Sequence, residues 1–340
     1  SAYSNSYVLG YDPLLEEGIS EASIVTVVLP YADSARDAVN RLGEIVSTHG
    51  AAESNGILFS DKDEVWYFEI GSGHHWVAMR IPDDSYAVVS NRLAIQEIDF
   101  TDNDNFAWSE DILTFVNDNQ LNKSNDGTFN FREIFGTRSE SDLYYNNPRV
   151  WYGQRMFNPE ITQDPEDYDM PFVRKPSKLI SVQDAKDFLA SHYEGTEFDP
   201  VGKGPIESRK RYRPISLAKA QESHVLQIRP NLPVEVSGIH WLSMGVAAQS
   251  VFVPFFAGIN DTPKEYKIGD MTYDPKSAYW IFKLVGVLLD PHYNHFVDVV
   301  GDVQERLNIS FQQKINQVDL KSADLDHHEL SEYTTKISNE

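Results

Sequence analysis

At 340 residues the chain could form one large domain or two ordinary ones, burying roughly three-quarters of its unfolded surface without a disulfide or metal. A net charge of −23, from 52 acidic against 29 basic residues, repels phosphate backbones and argues against nucleic acid as a partner. The absence of cysteine excludes disulfides, thiolate metal sites and a cysteine nucleophile within these residues, and no run reaches the ~18 apolar residues of a membrane helix.

The opening SAYSNSYVLG has neither the basic nor the apolar region of a signal peptide, so a cytoplasmic location is the expectation. Ile24, Val25, Val27, Val28 and Leu29 form a short apolar segment stopped by Pro30. Asp33 or Ser34 then caps a helix. Ala35, Ala38, Val39, Leu42, Ile45 and Val46 recur at helical spacing, and Gly50 closes it.

Residues 53–91 read as a four-stranded meander. Ile57 and Phe59, then Val65, Tyr67 and Glu69, then Trp76, Ala78 and Arg80, then Tyr86, Val88 and Ser90 alternate along four arms. Asp61-Lys62-Asp63, Gly71-Ser72-Gly73 and Pro82-Asp83-Asp84-Ser85 supply the turns. Asn91 ends the last arm, where a fixed backbone would present an amide that both donates and accepts.

Residues 92–105 look like an acidic loop, residues 111–117 a short helix, and residues 118–148 a loop rich in Asn, Asp and Ser. The aromatic, proline-punctuated stretch 144–176 reads as a wrap over the core or a pocket wall. Ser181 caps a helix over 182–192, with Asp184 favouring its positive end. From Arg209 strands return: Tyr212, Ile215 and Leu217, then 224–228, then 234–241, then VFVPFFAG at 251–258 as a strand buried on both faces. Ser277 caps the apolar helix AYWIFKLVGVLL, a second helix runs from His292 to about Val318, and 319–340 is a polar tail. Strands in runs, flanked by helices, predict two facing antiparallel sheets with helices outside rather than a doubly wound parallel sheet.

No phosphate-cradling glycine motif and no nucleophile elbow occurs. His74 and His75 are adjacent on a strand and point to opposite faces, and His292 and His295 lack a third ligand, so no metal site is expected. Arg209-Lys210-Arg211-Tyr212-Arg213 is the one basic cluster. It reads as surface ion pairing, or as an arginine beside a strand end that holds a carboxylate by paired hydrogen bonds.

Residues 7 to 318 resemble the bacterial dipeptidase A family, cysteine peptidases of the N-terminal-nucleophile (Ntn) hydrolase superfamily. The likeness is carried by YVLGYDPL, ESNGILFSDKDEVWYFE, GSGHHWVA, RYRPISLAKAQESHVLQIRPNLPVEVSGIHWLSMG, VFVPFFAGINDTP and SAYWIFKLVGVLLDPHY. It implies an α+β fold of αββα sandwich type, with residues 1–318 as one domain. It also implies hydrolysis of dipeptides by an N-terminal cysteine whose own α-amine is the general base, with no cofactor or metal. Dipeptides are the partners it implies, with no membrane and with homo-oligomerisation. Asn91 resembles the family's oxyanion donor and Arg211 the arginine near the nucleophile, with Arg213 as the alternative register. The sequence departs from the pattern in having no cysteine. The expectation is that the nucleophile-bearing N-terminal segment is missing and the chain alone is inactive. Alternatives are Ser1 as nucleophile, an N-acyl amide hydrolase of the penicillin or bile-salt type, and a non-catalytic scaffold.

Overall fold

The computed structural model describes residues 2–340, so the reading of Ser1 as a nucleophile lies outside the described residues. Contacts separate the chain into two units, Ser1–Leu179 and Ile180–Glu340. The sequence led to an expectation of one domain over 1–318 with a tail; in the structure each unit closes around apolar clusters of its own.

In the first unit, α1 (Ser6–Leu9), α2 (Glu21–Val28) and α3 (Ala35–His49) precede the sheet. Helix α3 follows its signals. Ser34 Oγ accepts from the Asp37 N–H at 3.1 Å, and Gly50 ends the helix at φ +76°, which a side chain would strain. Its buried stripe, Ala35, Ala38, Val39, Leu42 and Val46, packs on Trp66, Phe68 and Ile70. The sheet comprises β1 (Gly56–Ser60), β2 (Val65–Ile70) and β3 (Trp76–Ile81) in antiparallel order.

The fourth arm differs from expectation. β4 (Tyr86–Ala87) leaves this sheet, and β5 (Phe106–Trp108) pairs with β3 instead, Val77 opposite Trp108. Helices α4 (Ile112–Asp118), α5 (Phe131–Phe135), α6 (Asp142–Tyr145) and α7 (Asn147–Phe157) follow, so part of the stretch read as loop is helical. β4 pairs with β6 (Val173–Arg174) in a two-stranded ribbon.

The second unit opens with α8 (Val182–Ala190), whose Ser181–Asp184 capping box is fully formed, and α9 (Ile206–Arg209). No strand forms over 212–217. There Tyr212 is buried and the chain runs as turns and bends. β7 (Glu222–Ile228), α10 (Val234–Ser237), β8 (Gly238–Met244) and β9 (Val253–Phe256) come next. The strand expected over 234–241 thus begins as one helical turn. The sheet order is β7-β8-β9, so the segment read as a doubly buried strand is an edge. Pro254 explains the placement, because proline cannot donate to a ladder.

Three helices complete the unit: α11 (Ala278–Leu289), α12 (Tyr293–Lys321) and α13 (His327–Ser338). The expected polar tail is therefore structured. Asp326 and Glu329 form a capping box on α13, and its Leu330 joins Trp241, Phe256, Ile315 and Val318 in the core. Helix α11 carries Lys283 as its single charge, and Ile281, Leu284, Val285, Val287 and Leu288 are exposed.

Candidate active site

The site begins with a backbone problem. β4 stops at Ala87, and the chain then bends through Asn91 and Arg92 with no ladder to take its N–H groups. The Glu69 carboxylate on β2 accepts from the Ala94 N–H at 2.6 Å and from the Ile95 N–H at 3.0 Å. Buried backbone donors need partners, and here a side chain supplies them. Asn91 was expected at a strand end; it stands on a bend, because this carboxylate replaces the ladder.

Helix α7 fixes the other side. Arg149 donates from Nη2 to Asn91 Oδ1 at 2.9 Å and to Asn146 Oδ1 at 2.8 Å, and from Nε to the Tyr145 carbonyl at 2.8 Å. With Oδ1 turned to a cation, Nδ2 is the donor end of the Asn91 amide. Arg92 donates from Nη1 to Asn147 Oδ1 at 2.6 Å, and Asn147 Nδ2 donates to the Glu166 carbonyl. Ser90 Oγ and Arg92 Nε, flanking Asn91, are buried without a hydrogen-bond partner. Orphaned buried donors are rare and ask for a reason. Here they sit on both sides of a donor whose orientation is set by an arginine.

The electrostatics follow from burial. Glu69 is fully buried, and its carboxyl is pushed up to about 7 by that burial. The bonds from Ile95, Ala94 and Tyr67 and the charge of Arg132 act the other way. Burial also lowers Arg92, to about 10, and the like charge of Arg132 adds to the effect. Arg132 is lowered by burial, and its Nη1 donates to the Met170 carbonyl at 3.1 Å.

A second buried polar cluster is not a catalytic triad. Asp12 lies 2.8 Å from His75 Nδ1, and Ser72 Oγ lies 3.1 Å from the same nitrogen. A relay would place acid and serine on opposite ring nitrogens. Ser72 also donates to Asp12 at 2.7 Å and is wholly buried, so it is closed to substrate. Burial raises the Asp12 carboxyl, but bonds from His75, His74 and Ser72 outweigh it and hold the group well below the usual carboxylate range.

Arg211 belongs to the second unit. It follows α9 on a turn, is exposed, and holds its guanidinium 5.6 Å from the Tyr212 ring. The strand end expected beside it does not form. Arg213 is half-buried, and its carbonyl accepts from the Tyr193 hydroxyl at 2.5 Å. Among the described residues, no three His, Cys, Asp or Glu side chains come together to hold a metal ion. Reading by pattern missed Glu69, Arg92 and Arg149. An acid at an inward position of the apolar run VWYFEI was the available signal for Glu69. Arg149 carried none, because it reaches Asn91 only through the fold.

The known proteins most informative for this geometry are peptidases. The chain is 48% identical over 319 residues to "Probable dipeptidase" of Latilactobacillus sakei, covering 94% of this chain and 67% of that protein. It is 43% identical over 321 residues to "Probable dipeptidase B" of Lactococcus lactis, covering 93% and 67%. It is 39% identical over 315 residues to "Dipeptidase A" of Lactobacillus helveticus, covering 92% and 64%. The chain thus spans about two-thirds of the length of these relatives. The profile of Peptidase family C69 matches residues 1–306. A match of that extent, over both the unit that carries Asn91 and most of the unit that carries Arg211, places the chain in peptidase family C69.

Proposed function

We propose that this protein is a dipeptidase that cleaves the amide bond of free dipeptides through an acyl-enzyme, with N-terminal-nucleophile chemistry on an αββα frame. The observation that carries the reading is the orientation of the Asn91 amide, whose Oδ1 accepts from Arg149 so that Nδ2 is its donor end. The names of the relatives and the family support the substrate class.

In this reading a thiolate attacks the carbonyl carbon, and the electron pair of the C=O bond moves to oxygen. Asn91 donates to that oxyanion, which is stronger in the transition state than in the ground state. The C–N bond then breaks, and the leaving amine takes the proton the general base had accepted. An α-amine titrates near 8 and can serve as that base. Water afterwards cleaves the thioester. These 340 residues contain no cysteine, so the thiol comes from outside them. In the same reading Arg211 keeps its role as an arginine that binds a carboxylate by paired hydrogen bonds.

The test is a substrate panel. The isolated 340-residue chain should leave dipeptides intact, whereas the thiol-bearing enzyme should hydrolyse them in preference to bulky N-acyl amides. Turnover by the isolated chain that survives Ser1→Ala would show that the chemistry is elsewhere. A preference for N-acyl amides would assign the penicillin or bile-salt type of activity instead.

A further inference from the structure

We propose that Glu69 is a positioning residue for the reaction: its carboxylate clamps the backbone behind Asn91 and thereby sets where the Asn91 amide presents its donor. The inference rests on the assignment of Asn91 to the oxyanion and goes one step behind it.

Three observations lead there. Glu69 cannot drift, because it sits on the inner strand β2, paired on one side with Gly56 and on the other with Val77. It is wholly buried, a costly place for a carboxylate, and both oxygens are committed to the Ala94 and Ile95 N–H groups. The link from clamp to Asn91 has no slack, since the intervening Arg92 and Leu93 are 3% and 0% exposed. A displacement at Ala94 therefore passes to Asn91 rather than being absorbed by solvent-facing chain. Oxyanion donors work within narrow geometry, so such a displacement reaches the chemistry.

The groups that face Glu69 are the Tyr67 hydroxyl from its own strand, Arg132 from α5 and Arg92 from the bend. The ionised carboxylate accepts both N–H groups. Protonation turns one oxygen into a donor and weakens one of the two bonds. Glutamine at 69 would accept one N–H and oppose the other with its own NH2.

The experiment has two arms. In the first, 15N–1H spectra of the 340-residue chain are followed from about pH 5 to about pH 9. The Asn91 side-chain NH2 and the Ala94 and Ile95 amides should titrate with one common midpoint, near 7. In Glu69→Gln all three should be flat. An Asn91 side chain that stays still while Ala94 and Ile95 titrate would overturn the proposal, and this wild-type measurement decides even if the variant does not fold. In the second arm, Glu69→Gln in the thiol-bearing enzyme should lower kcat on dipeptides by about tenfold to a hundredfold with KM unchanged, a part of what losing an oxyanion donor costs. A rise in KM with kcat intact overturns it. If no form turns over dipeptides, the dipeptidase reading falls while the spectra still decide the clamp.

Discussion

Glu69 shows how one buried group sets stability against geometry. Its carboxyl holds a proton more tightly in the fold than the ordinary value of 4.5 allows, at about 7, because burial penalises the charge. A raised folded-state value means that the stability it contributes is complete below about 4.5 and lost as pH rises through about 7. Asp12, held low, works in the opposite sense and only in more acid solution, so the two windows separate. Urea denaturation at a series of pH values should therefore show wild type losing stability relative to Glu69→Gln as pH climbs across that window. A gain in the same interval would refute the burial argument. The ionised form, which is the better clamp on Ala94 and Ile95, is thus the less stable one. Asn91 drew notice in the sequence as the end of an alternating run, but that run is a strand only over Tyr86–Ala87, and Asn91 stands on the bend beyond it. Arg149 was not, because nothing local distinguishes an arginine on α7 that reaches back across the unit to Asn91 from one that faces water.

At the scale of the element, α3 and β3 meet through a missing side chain. A Cβ on Gly43 would stand 2.1 Å from Trp76 Cζ2. The indole cannot step aside: it stacks on Phe68 at 4.8 Å and donates from Nε1 to Ser47 Oγ at 2.9 Å. Alanine in a helix interior ordinarily gains about 1 kcal/mol over glycine. Here overpacking should outweigh that gain, and Gly43→Ala should destabilise the protein by about 1–3 kcal/mol, read from the urea midpoint. Equal or greater stability would mean that the indole has room. Helix α3 itself was readable because cap, stripe and terminating glycine all agree. The first three strands of the meander were readable by their period. β5 was not, since three residues in an acidic stretch carry no period, and its place comes from the open edge of β3. α13 was hidden for the opposite reason: its charged faces dominate the composition, and Leu330 alone is a fully buried apolar anchor. Pro254 had announced an edge strand that the apolar run around it concealed.

Over the whole chain, no helix among the described residues is long and apolar enough to cross a membrane, yet α11 resembles protein interior more than surface. Val287 is 59% exposed and Leu288 63%, on a helix with a single charge in a chain of net charge −23. Contiguous exposed apolar faces are where molecules adhere to one another, and like charge is what keeps them apart. The balance depends on the solvent, because added salt shortens the reach of that repulsion from about 10 Å at 0.1 M to about 3 Å at 1 M. Light scattering should then rise with sodium chloride, and Val287→Glu with Leu288→Lys should abolish the rise. Scattering that is indifferent to salt would show the face to be inert. A purification that relies on high-salt buffers to keep such an acidic chain dispersed would defeat itself, because it would silence the acidic coat and leave the greasy helix to decide the outcome.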